Sequence, residues 1–225
     1  MSSLDGIVSV KRRDGWAELI LNRPERRNAI VAETVGLLSA GLEDLADDEE
    51  VRGVLLRGEG GVFCSGLDLQ DTPAGEDFGR AWAALHRTLA AFPVVVVGAL
   101  EKAAVAGGAS LALACDLLVV GRNAFLSVPE VEMGRPAPMN VAWLSYKYGA
   151  GAALQAVLSG RRYGAEALLK AGIAHEVVPA DEVRPRAEQL AALIAGFRRD
   201  TLVRLKQSVR DAAPRSFDEI LDALT

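Results

Sequence analysis

The sequence is poor in the residue types that mark metal centres, disulfide frameworks and nucleic-acid binding. It has two histidines and two cysteines in 225 residues, and Lys and Arg (25) are outnumbered by Asp and Glu (30). The net charge of -5, with no basic stripe, argues against nucleic-acid binding because nothing is available to neutralise a phosphate backbone. Cys64 and Cys115 form no CxxC pair, so we expect free thiols in a reducing compartment, by default the cytoplasm.

Signatures of several large enzyme classes are also missing. No GxxxxGK[ST] or GxGxxG motif is present, which removes support for nucleoside triphosphate and dinucleotide chemistry. His86 and His175 have no second histidine or cysteine at ligand spacing, so we predict no metal site and structural roles for both. A serine hydrolase is disfavoured because no GxSxG turn exists. No targeting segment and no apolar run of membrane-spanning length is found, so we expect neither secretion nor membrane insertion.

The hydrophobic pattern predicts one α/β domain. Half of the residues are hydrophobic, enough for one sizeable core, and no low-complexity linker divides residues 1–225. Asp14 and Gly15 are typical of a hairpin turn. From Met139 onward the pattern is mainly helical. The predicted strands are 6–11, 16–21, 52–57, 94–100 and 116–121, and the predicted helices are 33–45, 77–91 and 109–114.

The candidate catalytic residues lie in two glycine-containing turns and at one acidic residue, Glu130. FCSGLD (residues 63–68) and VAGGAS (residues 105–110) each follow a β-rich apolar run, so each can present a backbone N–H where a strand ends. Two such donors form an oxyanion hole, which stabilises a carbonyl oxygen as it becomes negatively charged. With Pro129 and Glu130 further along the chain, the pattern suggests chemistry on a thioester carbonyl.

The order of these motifs resembles the crotonase superfamily, the enoyl-CoA hydratase and isomerase family. The similarity covers nearly the whole chain: residues 21–29 (LNRPERRNA), both glycine turns, 115–116 (CD), 129–130 (PE), 158–160 and 165–178. The resemblance implies a crotonase-like spiral of ββα repeats in residues 1–138, with two roughly perpendicular sheets. It also implies a C-terminal helical region, residues 139–225, through which trimers or hexamers assemble.

Carried over position by position, the resemblance gives the motifs their roles. The backbone N–H groups of Leu67 and Gly107 would bind the thioester oxygen, and Glu130 would move protons. Coenzyme A would enter as part of an acyl-CoA substrate, with no permanently bound cofactor. The residues expected to contact coenzyme A are Arg26, Arg27, Ala29, Ser65, Asp68 and Leu69.

Ser110 stands where the two-carboxylate hydratases of this family have a glutamate. A serine is not a general base here, but it can hold a water beside Glu130, as the similar serine-plus-glutamate pattern of some family hydratase-lyases implies. We therefore predict hydration of a 2-enoyl-CoA, with Ser110 as a catalytic residue. Two alternatives stay open: a 3,2-enoyl-CoA isomerase that uses Glu130 alone, and a catalytically silent CoA-binding subunit. Because the chain ends at Thr225, the resemblance also leads us to expect that it lacks the C-terminal helices that cap the acyl pocket in many relatives.

Overall fold

The computed structural model describes residues 6–71 and 76–225. Within these residues lie nine β-strands and eight α-helices. The strands are β1 (Val8–Arg12), β2 (Trp16–Leu21), β3 (Gly53–Gly58), β4 (Val95–Leu100), β5 (Ala103–Val105), β6 (Leu117–Gly121), β7 (Phe125–Ser127), β8 (Arg162–Gly164) and β9 (Glu176–Val178). The helices are α1 (Ala32–Asp47), α2 (Glu76–Ala91), α3 (Gly107–Ala114), α4 (Pro138–Ser159), α5 (Ala165–Lys170), α6 (Val183–Ala195), α7 (Arg199–Asp211) and α8 (Phe217–Asp222).

The strands form two sheets. The larger sheet has the order β1-β2-β3-β4-β6-β9, and the smaller has the order β5-β7-β8. Strands β1 and β2 form the predicted antiparallel hairpin, whose turn includes Gly15 at φ +73°, and the other pairings of the larger sheet are parallel. Strands β2 and β3 are buried along their whole length, as expected of a parallel sheet that is covered on both faces.

A unit of two strands followed by a helix is repeated along the chain. The units β1-β2-α1, β4-β5-α3 and β6-β7-α4 are complete. In the remaining unit, β3 is followed by Cys64 and Leu67, which form isolated parallel bridges to Ala104 and Ile30, and then by α2. This repeat confirms the α/β spiral of ββα units that the resemblance implied.

Helices cover both faces of the larger sheet. Helix α6 packs on one face, where its apolar side chains join those of the central strands. On the other face α1, α2, α3 and α4 enclose the main hydrophobic core. No helix in the described part of the chain is both long enough and apolar enough to cross a bilayer.

The C-terminal region holds helices α4 to α8, and it also contributes a strand to each sheet. Strand β8 lies beyond residue 138 and pairs with β7 in the smaller sheet, and β9 pairs with β6 in the larger one. The predicted strands and helices of the first half agree with the structure to within two residues at each end. Strands β5, β7 and β8 were not predicted, because three residues are too few to establish a period of two.

A buried ion pair joins neighbouring strands of the larger sheet. Arg57 on β3 donates through Nε to Glu18 on β2 at 2.7 Å, and through Nη1 to Glu59 at 2.8 Å. The Glu18 side chain is fully buried, and it also accepts a hydrogen bond from Arg13. Burial alone would raise the pKa of Glu18, but the hydrogen bonds from Arg57 and Arg13 hold it below its usual value.

We predict that Glu18→Gln lowers the free energy of unfolding by about 3 kcal/mol, because it leaves the buried Arg57 charge poorly compensated. Asp44→Asn, which breaks an exposed pair with Arg12, is the control and should cost at most about 1 kcal/mol. The pKa of Glu18 is lower in the folded protein than in the unfolded chain. The ion pair therefore stabilises the protein fully at pH values above the ordinary pKa of a glutamate, and this stabilisation is lost as the pH falls through the folded pKa. Urea unfolding at several pH values measures both effects, and equal losses in the two variants would contradict the assignment.

Candidate active site

The loop after β3 presents the first of the two backbone donors. Gly66 adopts φ +92°, and its carbonyl accepts a hydrogen bond from the N–H of Ile30 at 2.8 Å. The N–H of Asp68 donates to the carbonyl of Ile30 at 2.8 Å. In this parallel bridge, successive N–H groups point to opposite sides of the chain, so the N–H of Leu67 faces away from Ile30. It meets no acceptor among the described residues.

The second donor is the first N–H of α3. Ala106 has φ +51° and ψ -120°, a backbone conformation that is rare for a residue with a Cβ. Its N–H donates to the carbonyl of Ser127 at 2.9 Å, and its carbonyl accepts from Ala109 and Ser110. Gly107 is the next residue, and its N–H lacks an intrahelical acceptor, as at any helix N-terminus. The positive end of the helix dipole adds to the potential at this point.

Glycines bring the two donors side by side. A Cβ built on Gly66 would lie 3.4 Å from the backbone nitrogen of Gly107, and one built on Gly107 would lie 3.5 Å from a methyl group of Leu67. A Cβ on Gly108 would lie only 2.2 Å from the carbonyl oxygen of Cys64, well inside contact distance. The first turn of α3 therefore lies against the loop after β3 at a distance that only glycine permits.

Glu130 lies in a short 3-10 turn, Pro129–Met133, that follows β7. Its Oε1 accepts a hydrogen bond from Asn140 Nδ2 at 3.1 Å, while its Oε2 is buried and has no partner among the described residues. Burial raises the pKa of Glu130, against the opposing effect of its hydrogen bonds. A carboxyl group with a raised pKa is suited to general acid–base chemistry near neutral pH.

Asn140, which no sequence motif marks, connects Glu130 to the second donor. The same Nδ2 also donates to the carbonyl of Ala106 at 3.1 Å. That carbonyl belongs to the peptide unit whose other end is the N–H of Gly107. The available sequence signal was a single asparagine among the apolar residues that open α4, and this pattern carries no functional meaning before the fold is known.

Ser110 lies on the interior side of α3. Its Oγ donates to the carbonyl of Gly107 at 2.8 Å and lies 3.2 Å from His86 Nε2. Trp143 Nε1 donates to His86 Nδ1 at 2.8 Å, so the ring proton is on Nε2 and is donated to Ser110. Burial lowers the pKa of His86 to about 3. A neutral histidine already protonated at Nε2 cannot activate the serine, which excludes a Ser–His nucleophile and agrees with a structural role for His86.

The structure does not bring the Ser110 hydroxyl into contact with Glu130. Ser110 is fully buried, and its hydrogen bonds go to Gly107 and His86 rather than to the carboxylate. The expected serine-plus-glutamate pair therefore has no direct contact among the described residues. A catalytic role for Ser110 stays a prediction.

The residues predicted to contact coenzyme A lie together beside the first donor. A cavity of about 330 Å³ includes Leu67 and all six of them: Arg26, Arg27, Ala29, Ser65, Asp68 and Leu69. Arg26 and Asp68 are paired at 3.1 Å, and Arg23 reaches the same carboxylate at 3.4 Å. Despite its burial, these bonds lower the pKa of Asp68. Asp68 thus anchors Arg26, whereas the exposed Arg27 has no ion-pair partner among the described residues.

Comparisons with known proteins identify the family. The family model described as Enoyl-CoA hydratase/isomerase matches residues 11–223. The probable enoyl-CoA hydratase echA6 of Mycobacterium tuberculosis is 31% identical over 188 residues, which cover 83% of this chain and 77% of the relative. A putative enoyl-CoA hydratase of Thermus thermophilus is 35% identical over 188 residues, which cover 80% of this chain and 74% of the relative.

Solved structures have the same fold over almost the full length. The Pseudomonas aeruginosa protein PA4980 superposes with a TM-score of 0.87 at 30% identity, covering 99% of this chain and 98% of that one. An enoyl-CoA hydratase from Mycobacterium avium subsp. paratuberculosis gives a TM-score of 0.89 at 25% identity, and the alignment covers 99% of this chain and 92% of that one. The chain therefore belongs to the enoyl-CoA hydratase/isomerase family and has the crotonase fold.

Proposed function

We propose that this protein is an acyl-CoA enzyme that adds water across the double bond of a 2-enoyl-CoA. One observation carries the proposal: the N–H groups of Leu67 and Gly107, which have no acceptor among the described residues, lie beside each other. One side chain, Asn140, links the Gly107 peptide to the carboxylate of Glu130, whose pKa is raised. The relatives named enoyl-CoA hydratase support the same reaction class.

The proposed reaction uses the two donors to stabilise an enolate. The thioester oxygen accepts hydrogen bonds from Leu67 and Gly107, each worth about 3–4 kcal/mol of transition-state stabilisation. Glu130 takes a proton from water as the hydroxyl adds to C3, and the electron pair of the double bond moves onto the thioester oxygen. The enolate then collapses and takes the proton at C2 from Glu130, which returns to its ionised form. Water is consumed and no other reactant is needed.

Coenzyme A belongs to the substrate, and its binding site is the cavity beside Leu67. Arg27 is the cation placed to meet a phosphate, because it is exposed and unpaired among the described residues. Arg26 is already bonded to Asp68, so its charge is partly neutralised. The cavity adjoins the first donor, so a thioester bound there has a short path to the oxyanion hole.

Double-bond isomerisation is the second candidate, and the surroundings of Ser110 favour it. Ser110 supplies no carboxylate, and its hydroxyl is engaged with Gly107 and His86. A 3,2-enoyl-CoA isomerase needs only one carboxylate, which would move a proton from C2 to C4 over the same enolate. A catalytically silent CoA-binding subunit is the third candidate, and the presence of Glu130 argues against it.

The surroundings of the cysteines support the reducing cytoplasm that we propose as the location. Cys64 and Cys115 are both free and buried. Burial raises the pKa of each thiol to about 12, so neither is a nucleophile at neutral pH and neither takes part in the proposed reaction.

Labelled water distinguishes the candidates. We predict that, in labelled water, the enzyme converts a 2-enoyl-CoA into a 3-hydroxyacyl-CoA that carries ¹⁸O, as detected by mass spectrometry. Glu130→Gln should slow this incorporation by roughly 10²–10⁴-fold, because it removes the acid–base group. The affinity for coenzyme A should stay unchanged, because Glu130 does not line the coenzyme A cavity. Conversion of a 3-enoyl-CoA without oxygen uptake would identify an isomerase, and coenzyme A binding without turnover would identify a silent subunit.

The closeness of the two donor loops gives a second prediction. Gly108→Ala should lower kcat/KM by about 10²-fold, because its methyl group pushes α3 away from the carbonyl of Cys64 and separates the two donors. The control is Gly36→Ala, where a Cβ meets nothing within 4 Å on the exposed face of α1. Circular dichroism verifies that both variants fold, and a well-folded Gly108→Ala enzyme of normal activity would contradict the oxyanion assignment.

We also propose that the protein assembles as a trimer or hexamer. Helix α4 exposes Leu154 and Leu158, and the neighbouring 3-10 turn exposes Val131 and Met133. Exposed apolar side chains that lie close together are typical of protein–protein contact surfaces. Light scattering should give a mass three or six times that of the chain. Leu158→Glu should reduce the assembly, whereas Leu37→Glu on the exposed face of α1, outside the C-terminal region, should not. A wild-type monomer at micromolar concentration would overturn the proposal.

A further inference from the structure

One amide side chain makes both hydrogen bonds that join the two halves of the proposed site. Asn140 is 2% exposed and lies in the first turn of α4. Its Nδ2 is 3.1 Å from the carbonyl oxygen of Ala106 and 3.1 Å from Glu130 Oε1. The two N–H bonds of one amide nitrogen are thus both used, on two different elements of the fold.

The orientation of this amide follows from the chemistry of its neighbours. Both the carbonyl of Ala106 and the ionised carboxylate of Glu130 only accept hydrogen bonds. If the amide were reversed, Asn140 Oδ1 would face two other acceptors and both bonds would be lost. The amide nitrogen must therefore face them, which leaves Oδ1 buried without a partner among the described residues.

The bond to Ala106 acts on the second backbone donor. The carbonyl of Ala106 and the N–H of Gly107 are the two ends of one peptide unit. A hydrogen bond accepted by a carbonyl polarises its peptide and strengthens the donor at the other end. The bond also helps to hold Ala106 at its positive φ of 51°, and that conformation sets the direction of the Gly107 N–H.

The bond to Glu130 selects which carboxylate oxygen can react. Oε1 is held by Asn140, and Oε2 is buried without a partner among the described residues. Oε2 is therefore the oxygen left to exchange a proton with substrate or water. Among the described residues, no charged group contributes to the raised pKa of Glu130: burial raises it, while the Asn140 bond and a backbone bond oppose the rise.

We propose that Asn140 is a positioning residue that fixes the Gly107 donor and the Glu130 carboxylate relative to each other, so that the oxyanion hole and the proton-transferring Oε2 act on one substrate. The proposal rests on the proposed acyl-CoA chemistry. It adds a residue that neither the motifs nor the glycine turns identify. Its position, ten residues after Glu130 on the next helix, allows it to bridge the turn after β7 and the start of α3.

Two variants test this role. Asn140→Ala removes both hydrogen bonds, and Asn140→Asp keeps the size and shape of the side chain while replacing both N–H donors with a carboxylate. We expect Asn140→Ala to lower kcat by about 10–10²-fold, below the ~10²–10³-fold effect of deleting an oxyanion donor outright. KM should change by less than about threefold, since the cavity that holds coenzyme A is untouched. We expect Asn140→Asp to lower kcat by at least the same factor. Asn123→Ala, in an exposed turn, is the matched control.

A titration separates positioning from a merely structural role. The pKa of Glu130 is followed by ¹³C NMR of glutamate-labelled protein, with the resonance assigned from Glu130→Gln. It should rise in Asn140→Ala, because a hydrogen bond to the ionised form is lost. An unchanged kcat in a folded variant, or an unmoved Glu130 pKa, overturns the proposal.

The titration also keeps the two proposals distinguishable. It needs no turnover, so it tests the link between Asn140 and Glu130 even if wild-type enzyme converts no enoyl-CoA. Failure of wild-type turnover would overturn the proposed function. A normal wild-type rate combined with an unaffected Asn140→Ala rate would overturn the positioning role alone.

Discussion

The first turn of α3 lies directly against the loop that follows β3, and the geometry of the whole site depends on that contact. The N–H of Val105 donates to the carbonyl of Cys64 at 3.0 Å, and the N–H of Cys64 donates to the carbonyl of Ala103 at 3.2 Å. One residue beyond the second donor, Gly108 passes so close to Cys64 that no side chain fits. Two backbone N–H groups are thereby brought to one place by main-chain hydrogen bonds rather than by adjustable side chains.

The pairing of the strands fixes the position of this contact. The first loop leaves the end of β3 and α3 follows the short strand β5, so the parallel pairing of β3 with β4 sets the spacing between the two chain segments. Glu130 follows β7, which pairs in parallel with β5, and so it arrives beside the same helix start. A preorganised site of this kind has its donors in place before charge develops, which is the condition under which they contribute most. In the same way, the side chain of Asn140 holds Glu130 and the Gly107 peptide in fixed positions before the reaction begins.

Much of this was predictable from the sequence, for identifiable physical reasons. The long buried strands and amphipathic helices have clear periods, and the glycine turns that hold Leu67 and Gly107 occur at the ends of strands, where backbone donors become available. The clustering of Arg26 and Asp68 in one cavity was also implied by the resemblance, although their mutual ion pair was not. The contacts of Ser110 and Asn140 were not predictable, because the partner of a polar side chain depends on which helices pack together.

The central claim is that the N–H groups of Leu67 and Gly107 jointly polarise a thioester carbonyl. Isotope-edited infrared spectroscopy measures this directly, with an acyl-CoA carrying ¹³C at the thioester carbon and bound to the Glu130→Gln protein so that no turnover occurs. Hydrogen bonds from two preorganised donors weaken the C=O bond, so the account predicts that the carbonyl stretch moves to lower wavenumber on binding. A bound thioester whose stretch stays at the position found in water would contradict it.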